Sequence, residues 1–224
     1  MSNQPNQKKS KLKIILIVVG ALFLLSLFIP NEETKNETTS TSDQSAQITQ
    51  GQEETNQKAN DIYAEGANLK DEKELALFSL NAWKTRVDLT KKSLFSHWDL
   101  YWTQTFNDFS QGKIDQYKAY GNLEKLTNLL SQYHIDFMDT GEDNHIYDGI
   151  KGEQLDKLKQ AERDYGTAAY TMKSACNIAK EMFDNGKIKP SDIENLKKQV
   201  ETAKAFIVKA DLAVKDVEDV LSKK

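Results

Sequence analysis

"LKQAERDYGTAAYTMKSACNIAKEMFDNGKIKPSDIENLKKQVETAKAFIVKADLAVKDVEDVL", residues 158–221, decides the fold. Apolar side chains return along it at alternating intervals of three and four. In the first half these are Leu158, Ala161, Tyr165, Ala168, Met172, Ala175, Ala179 and Met182. In the second they are Ile193, Leu196, Val200, Ala203, Ile207, Ala210, Val214, Val217 and Leu221. Sustained over more than three heptads each, the pattern predicts two helices with a coiled-coil seam. The short joint "DNGKIKPS", residues 184–191, makes them antiparallel neighbours. Ser191 with Glu194 predicts a capping box at the start of the returning helix.

Pairing about that turn sets Ala161 against Val214, Tyr165 against Ala210, Ala168 against Ile207, Met172 against Ala203, Ala175 against Val200 and Ala179 against Leu196. Leu158 with Val217 and Met182 with Ile193 close the two ends. Each inner layer opposes a small residue to a larger one, which is how a tight helix pair fills its seam. A slip of one heptad keeps part of this complementarity, so the length of the turn selects the register. Leu158, Tyr165, Met172, Ile193, Leu196, Val200, Ile207 and Val214 are the expected interface of a hairpin over 153–222.

Upstream, helical periodicity continues and strand-like alternation is absent. Breaks at "SQGK" (110–113) and "DTGEDNHIYDGIKG" (139–152) divide the region after residue 60 into four helical segments, near 61–109, 113–138, 153–183 and 191–222. The first is long enough to expect a bend near "TKKS", 90–93. Its stripe is Leu77, Leu80, Trp83, Val87, Leu94, Trp98 and Tyr101; the second carries Ala119, Leu123, Leu126, Leu130, Tyr133 and Phe137. Such faces need partners, and packing on the hairpin as an all-α, antiparallel four-helix bundle is the economical arrangement. Self-association as a coiled-coil oligomer is the alternative.

The other end of the chain has a different character. Residues 14–30, "IILIVVGALFLLSLFIP", hold no charge, and 17 residues at a rise of about 1.5 Å give roughly 25 Å, the short end of a bilayer span. Lys8, Lys9, Lys11 and Lys13 precede the run and Asn31-Glu32-Glu33 follows it, which places residues 1–13 in the cytoplasm and the remainder outside. The run ends Leu27-Phe28-Ile29-Pro30, without the small residues a signal peptidase needs and without a lipobox cysteine. The expectation is therefore a retained single-pass anchor in a cell membrane. Residues 31–60 are built almost wholly from Glu, Thr, Asn, Gln and Ser, with Ile48 the one large apolar side chain; they read as a disordered stalk. Asn36-Glu37-Thr38 matches a glycosylation acceptor, which matters only in a eukaryotic secretory host. Lys- and Asn-rich, Arg-poor usage points to an AT-rich bacterial genome.

Composition narrows the functional classes. A net charge of −4, with 30 basic against 34 acidic residues, argues against nucleic acid as a partner. Arg86 and Arg163 are the only arginines, so bidentate phosphate clamps are scarce. Cys176 is the sole cysteine, which excludes an internal disulfide or a Cys-based zinc site.

Three stretches invite chemistry. "LFSHWDLYWTQTFNDF", 94–109, places Phe95, Trp98, Trp102, Phe106 and Phe109 on one helical face, flanked by His97 and Tyr101. An aromatic pocket for an apolar or cationic ligand would use Phe95, Trp98, Tyr101, Trp102 and Phe106; ordinary core is the plainer reading of such a stripe. "EMFDNGKIKPSD", 181–192, loosely resembles a calcium loop, but Phe183 stands where an oxygen ligand belongs and Asp192 replaces the final Glu. Asn185-Gly186 reads better as helix termination. The loop at 139–148 gathers Asp139, Glu142, Asp143, His145 and Asp148, a solvated acidic loop or a weak divalent-ion site. His97, His134 and His145 lack metal-ligand spacing. No cofactor, metal centre or catalytic role is expected. The sequence thus points to a membrane-anchored, extracytoplasmic binding module that engages a protein partner or itself, with a ligand-sensing bundle around Trp98 and Trp102 as the alternative.

Overall fold

The computed structural model describes residues 69, 71–140, 146–186 and 189–223. Among them every regular element is helical: α1 (Glu72–Trp98), a π-helical turn (Asp99–Thr103), α2 (Gln104–Ser110), α3 (Gln116–Met138), α4 (Glu153–Asp184) and α5 (Pro190–Lys223). The all-α expectation holds there. The stretch 14–30 and the stalk 31–60 lie outside the described residues, and no described helix is long and apolar enough to cross a membrane.

Local chemistry places the helix ends, sometimes away from the expected boundary. Leu69 lies outside the first helix, which starts at Glu72 because Asp71 Oδ1 accepts the amides of Lys73 (2.8 Å) and Glu74 (3.0 Å). Asp115 caps α3 in the same way through the Lys118 amide at 2.8 Å, so that helix starts at 116 rather than 113. The capping box expected from Ser191 and Glu194 does not form as drawn. Pro190 is the first helical residue, where its missing N–H costs nothing, and the Asp192 carboxylate reaches back to the Lys189 amide at 3.2 Å. Gly186, at φ +59°, ends α4 as the Asn185-Gly186 pair suggested. α1 runs unbroken through 90–93, and the change of hydrogen-bonding pattern falls at residues 99–103.

The chain forms two compact units, described separately. In both, segments of helix pack on one another. One unit comprises, among the described residues, 95–131, 170–186 and 189–204. Its core is built on Trp98, Leu100, Trp102 and Phe106, then Leu123, Leu126 and Leu130 of α3, and Cys176 and Phe183 of α4. The other comprises, among the described residues, 69, 71–94, 132–140, 146–169 and 205–223. Trp83, Leu80, Tyr133, Phe137, Leu158 and Val217 fill its core, with Ile146 and Ile150 from the α3–α4 connection tucked in beside them. That connection depends on Gly149, at φ +78°: a Cβ there would lie 2.8 Å from the Ala76 backbone nitrogen. Only glycine permits so close an approach.

In this second unit α4 and α5 run antiparallel. Lys157 contacts Asp216, Asp164 pairs with Lys209, and Tyr165 donates its hydroxyl to Asp211. Tyr165 thus meets the neighbour of its expected partner Ala210. Of the eight residues expected at the hairpin interface, Leu158, Tyr165, Met172, Leu196, Val200, Ile207 and Val214 are buried, whereas Ile193 is half-buried near the start of α5. Burial on α4 extends beyond the expected stripe to Glu162, Ala169, Cys176 and Phe183, spaced seven apart on an adjoining face. A helix buried over so wide an arc serves more than one neighbour.

Candidate functional site

The aromatic stripe lies in the first unit and is largely occupied by itself. Trp98 stacks on Trp102 with centroids 4.5 Å apart, and Phe106 meets Trp102 edge-on at 4.9 Å. Phe183 of α4 contacts both Phe106 (5.6 Å) and Phe109 (4.8 Å), an addition the stripe alone could not reveal. Tyr101 is buried and stacks on His97 at 6.1 Å, while Phe95 is half-buried. The π-helical turn shapes this packing. The Gln104 amide donates to the Asp99 carbonyl five residues back, and Leu100, Tyr101 and Trp102 are buried in succession. An α-helix with one buried face would have turned one of the three outward.

Within the stripe one polar atom stands out. Trp102 is fully buried and its indole Nε1 has no hydrogen-bond partner among the described residues. A donor left dry and unpaired costs about 1–3 kcal/mol.

The second unit treats its polar groups differently. Glu162 is buried, and its Oε1 accepts both the Trp83 indole N–H (2.6 Å) and the Tyr147 hydroxyl (2.5 Å). It thereby joins α1, α4 and the α3–α4 connection. Burial raises its carboxyl above the ordinary range, against the opposing pull of those two donors and of Lys159 and Arg86. Asp136 is raised for the same reason, with Gln132 and Arg86 opposing. Arg86 also donates to the Thr140 carbonyl at 3.1 Å, which ties the end of α3 to α1. His134 Nδ1 lies 2.8 Å from the Gly166 carbonyl; a carbonyl can only accept, so the ring carries its proton there. Asp139 and Asp148 of the acidic loop are described, but 141–145 are not; no group of three metal-ligating side chains occurs among the described residues.

An open cleft of 340 Å³ runs along α1 and α5 of this unit. Trp83, Val87, Tyr165 and Val214 are its buried members. Its charged members are Lys84, Asp88 and Lys91 on α1 and Asp211, Lys215, Glu218 and Asp219 on α5, all but Asp219 recurring at intervals of four and three. Lys84 pairs with Glu218 at 2.7 Å, and Lys91 pairs with Asp211 at 2.6 Å while its ammonium sits 5.1 Å above the Tyr165 ring. Burial, then the Asp211 bond and charge, push the Tyr165 hydroxyl well above its usual pKa, so it stays a donor.

Neither Glu162 nor this cleft was singled out from the sequence. An acidic residue recurring in register with Ala169, Cys176 and Phe183 was the available signal for the first. For the second it was the common spacing of four and three in the two charged sets. Comparison of the chain with protein-family models, curated proteins and solved structures finds no match in any of the three.

Proposed function

We propose that this chain is a single-pass membrane protein whose helical region, held outside the cytoplasm on a polar stalk, works by binding rather than by catalysis. The address rests on the uncharged run 14–30 between four lysines and Asn31-Glu32-Glu33. The observation that carries the binding role is the open cleft of α1 and α5, a concavity with a buried apolar floor and a charged rim. A coiled-coil seam between α4 and α5 is part of the same reading. Alkaline carbonate washing followed by protease treatment of spheroplasts tests the address. The full-length chain should stay with the membrane, and its helical region should be digested from outside; release into the wash would end the anchored reading. Proximity cross-linking in intact envelopes would then identify a protein partner or a second copy.

A second reading, a small-ligand sensor at the aromatic cluster, draws its support from the unpartnered Trp102 N–H beside the π-helical turn. Such turns recur at functional sites. A ligand accepting that hydrogen bond would shift tryptophan emission; an unchanged spectrum across a metabolite panel would remove this support.

A further inference from the structure

The two charged sets of the cleft form a ladder with a missing rung. On α1 the order is Lys84, Asp88, Lys91; on α5, read in the opposite direction, it is Glu218, Lys215, Asp211. The register fixed by Lys84–Glu218 and Lys91–Asp211 sets Asp88 and Lys215 between them as a third level of unlike charges. The outer two levels close as ion pairs of 2.7 and 2.6 Å. At the middle level Asp88 and Lys215 are both exposed, and neither has an ion-pair partner among the described residues. Asp219, also on the rim, is likewise unpaired.

We propose that this middle level binds a small basic amino acid. Two anions and one cation are left over at the rim. Their complement is a molecule with two cationic groups and one carboxylate. The carboxylate meets Lys215, the two cationic groups meet Asp88 and Asp219, and the alkyl stem lies on Val87 and Val214. Closed ion pairs at both ends limit the length the seat accepts, and the apolar floor lowers the local dielectric, which strengthens the charge pairing above it. The Lys84 and Lys91 ammonium groups are already committed to Glu218 and Asp211, so neither neutralises Asp88 in the ligand's place. The inference rests on the binding reading given above, but not on the membrane anchor.

Calorimetric titration of the full-length chain in detergent micelles, with L-arginine and L-lysine as probes, tests it. One of the two should saturate a single site with a Kd below about 1 mM. Norleucine lacks the second cation and cadaverine lacks the carboxylate, so each should bind at least about tenfold more weakly. Asp88→Asn and Lys215→Met alter exposed side chains and should fold normally; each should weaken binding by about tenfold, while Lys198→Met, outside the cleft, should not. Failure of both probes to saturate, equal binding of norleucine, or unchanged binding by Asp88→Asn would each overturn the proposal. Because the titration uses purified protein, a negative result here is distinct from release of the chain in the carbonate wash.

Discussion

The two units solve the same packing problem with different materials. The one built on Phe95–Ser131 and Tyr170–Lys204 fills its centre with aromatic rings and leaves Trp102 Nε1 without a hydrogen-bond partner among the described residues. The other buries the carboxylate of Glu162 but gives it two donors drawn from two other segments. Ring packing is tolerant of geometry, so the first unit can absorb a π-helical turn. Hydrogen bonds to a buried acid are directional, so the second must fix α1, α4 and the connection together. The lesson is that burial alone does not rank the two tryptophans. Trp83 and Trp102 are equally buried, yet among the described residues one indole has a partner and the other does not.

The strongest way to break this contrast is at Trp102. Trp102→Ala should cost about 3–5 kcal/mol in urea unfolding, from lost transfer energy and the cavity left behind. Trp102→Phe should cost less than half of that, since it deletes the unpaired N–H along with part of the ring. Equal losses in the two variants would mean that the indole has a partner after all.

Next comes Glu162→Leu, which removes the acceptor shared by Trp83 and Tyr147. Each stranded donor costs about 1–3 kcal/mol, and Trp83 is wholly buried. A loss under about 0.5 kcal/mol would show that these bonds add nothing beyond packing. Gly149→Ala should follow at about 1–3 kcal/mol, because φ +78° is unfavourable for alanine and its Cβ would press on the Ala76 backbone. Increased proteolysis near residue 149 would be the accompanying sign of a loosened connection.

Glu162→Gln sharpens the comparison with the smallest effect. The amide oxygen can still accept both donors, and the variant carries no buried charge. The wild-type carboxyl is raised in the folded chain, so its contribution is fully present below the ordinary glutamate pKa and is lost as pH rises through the raised value. The variant should therefore match or exceed the wild-type melting temperature at pH 7, by no more than about 1 kcal/mol or 2–4 °C. That advantage should shrink toward pH 4, where the wild type is protonated. A variant less stable than wild type at pH 7 would show that the ionised form makes the better bonds.

Much of the helical architecture was legible in residues 158–221. A strict interval of three and four fixes which side of a helix is apolar before any neighbour is known. Seven of the eight residues named for the seam are buried, and Ile193, in the first turn of α5, is half-buried. The aromatic stripe was readable as a set, but its partner Phe183 and its π-helical turn were not. Both depend on what α4 presents to the stripe, and a five-residue hydrogen-bonded turn leaves no period of its own in the sequence.

Sequence by itself determined the helical class, the apolar faces of α4 and α5, and the turn at Asn185-Gly186, because propensity, periodicity and termination act over a few residues. Tertiary structure alone decided that Glu162 faces Trp83, 79 positions away, and that Lys84 and Lys91 pair with Glu218 and Asp211. Such pairings are set by which faces meet when apolar surface leaves water, and a chain read one residue at a time carries no record of that encounter.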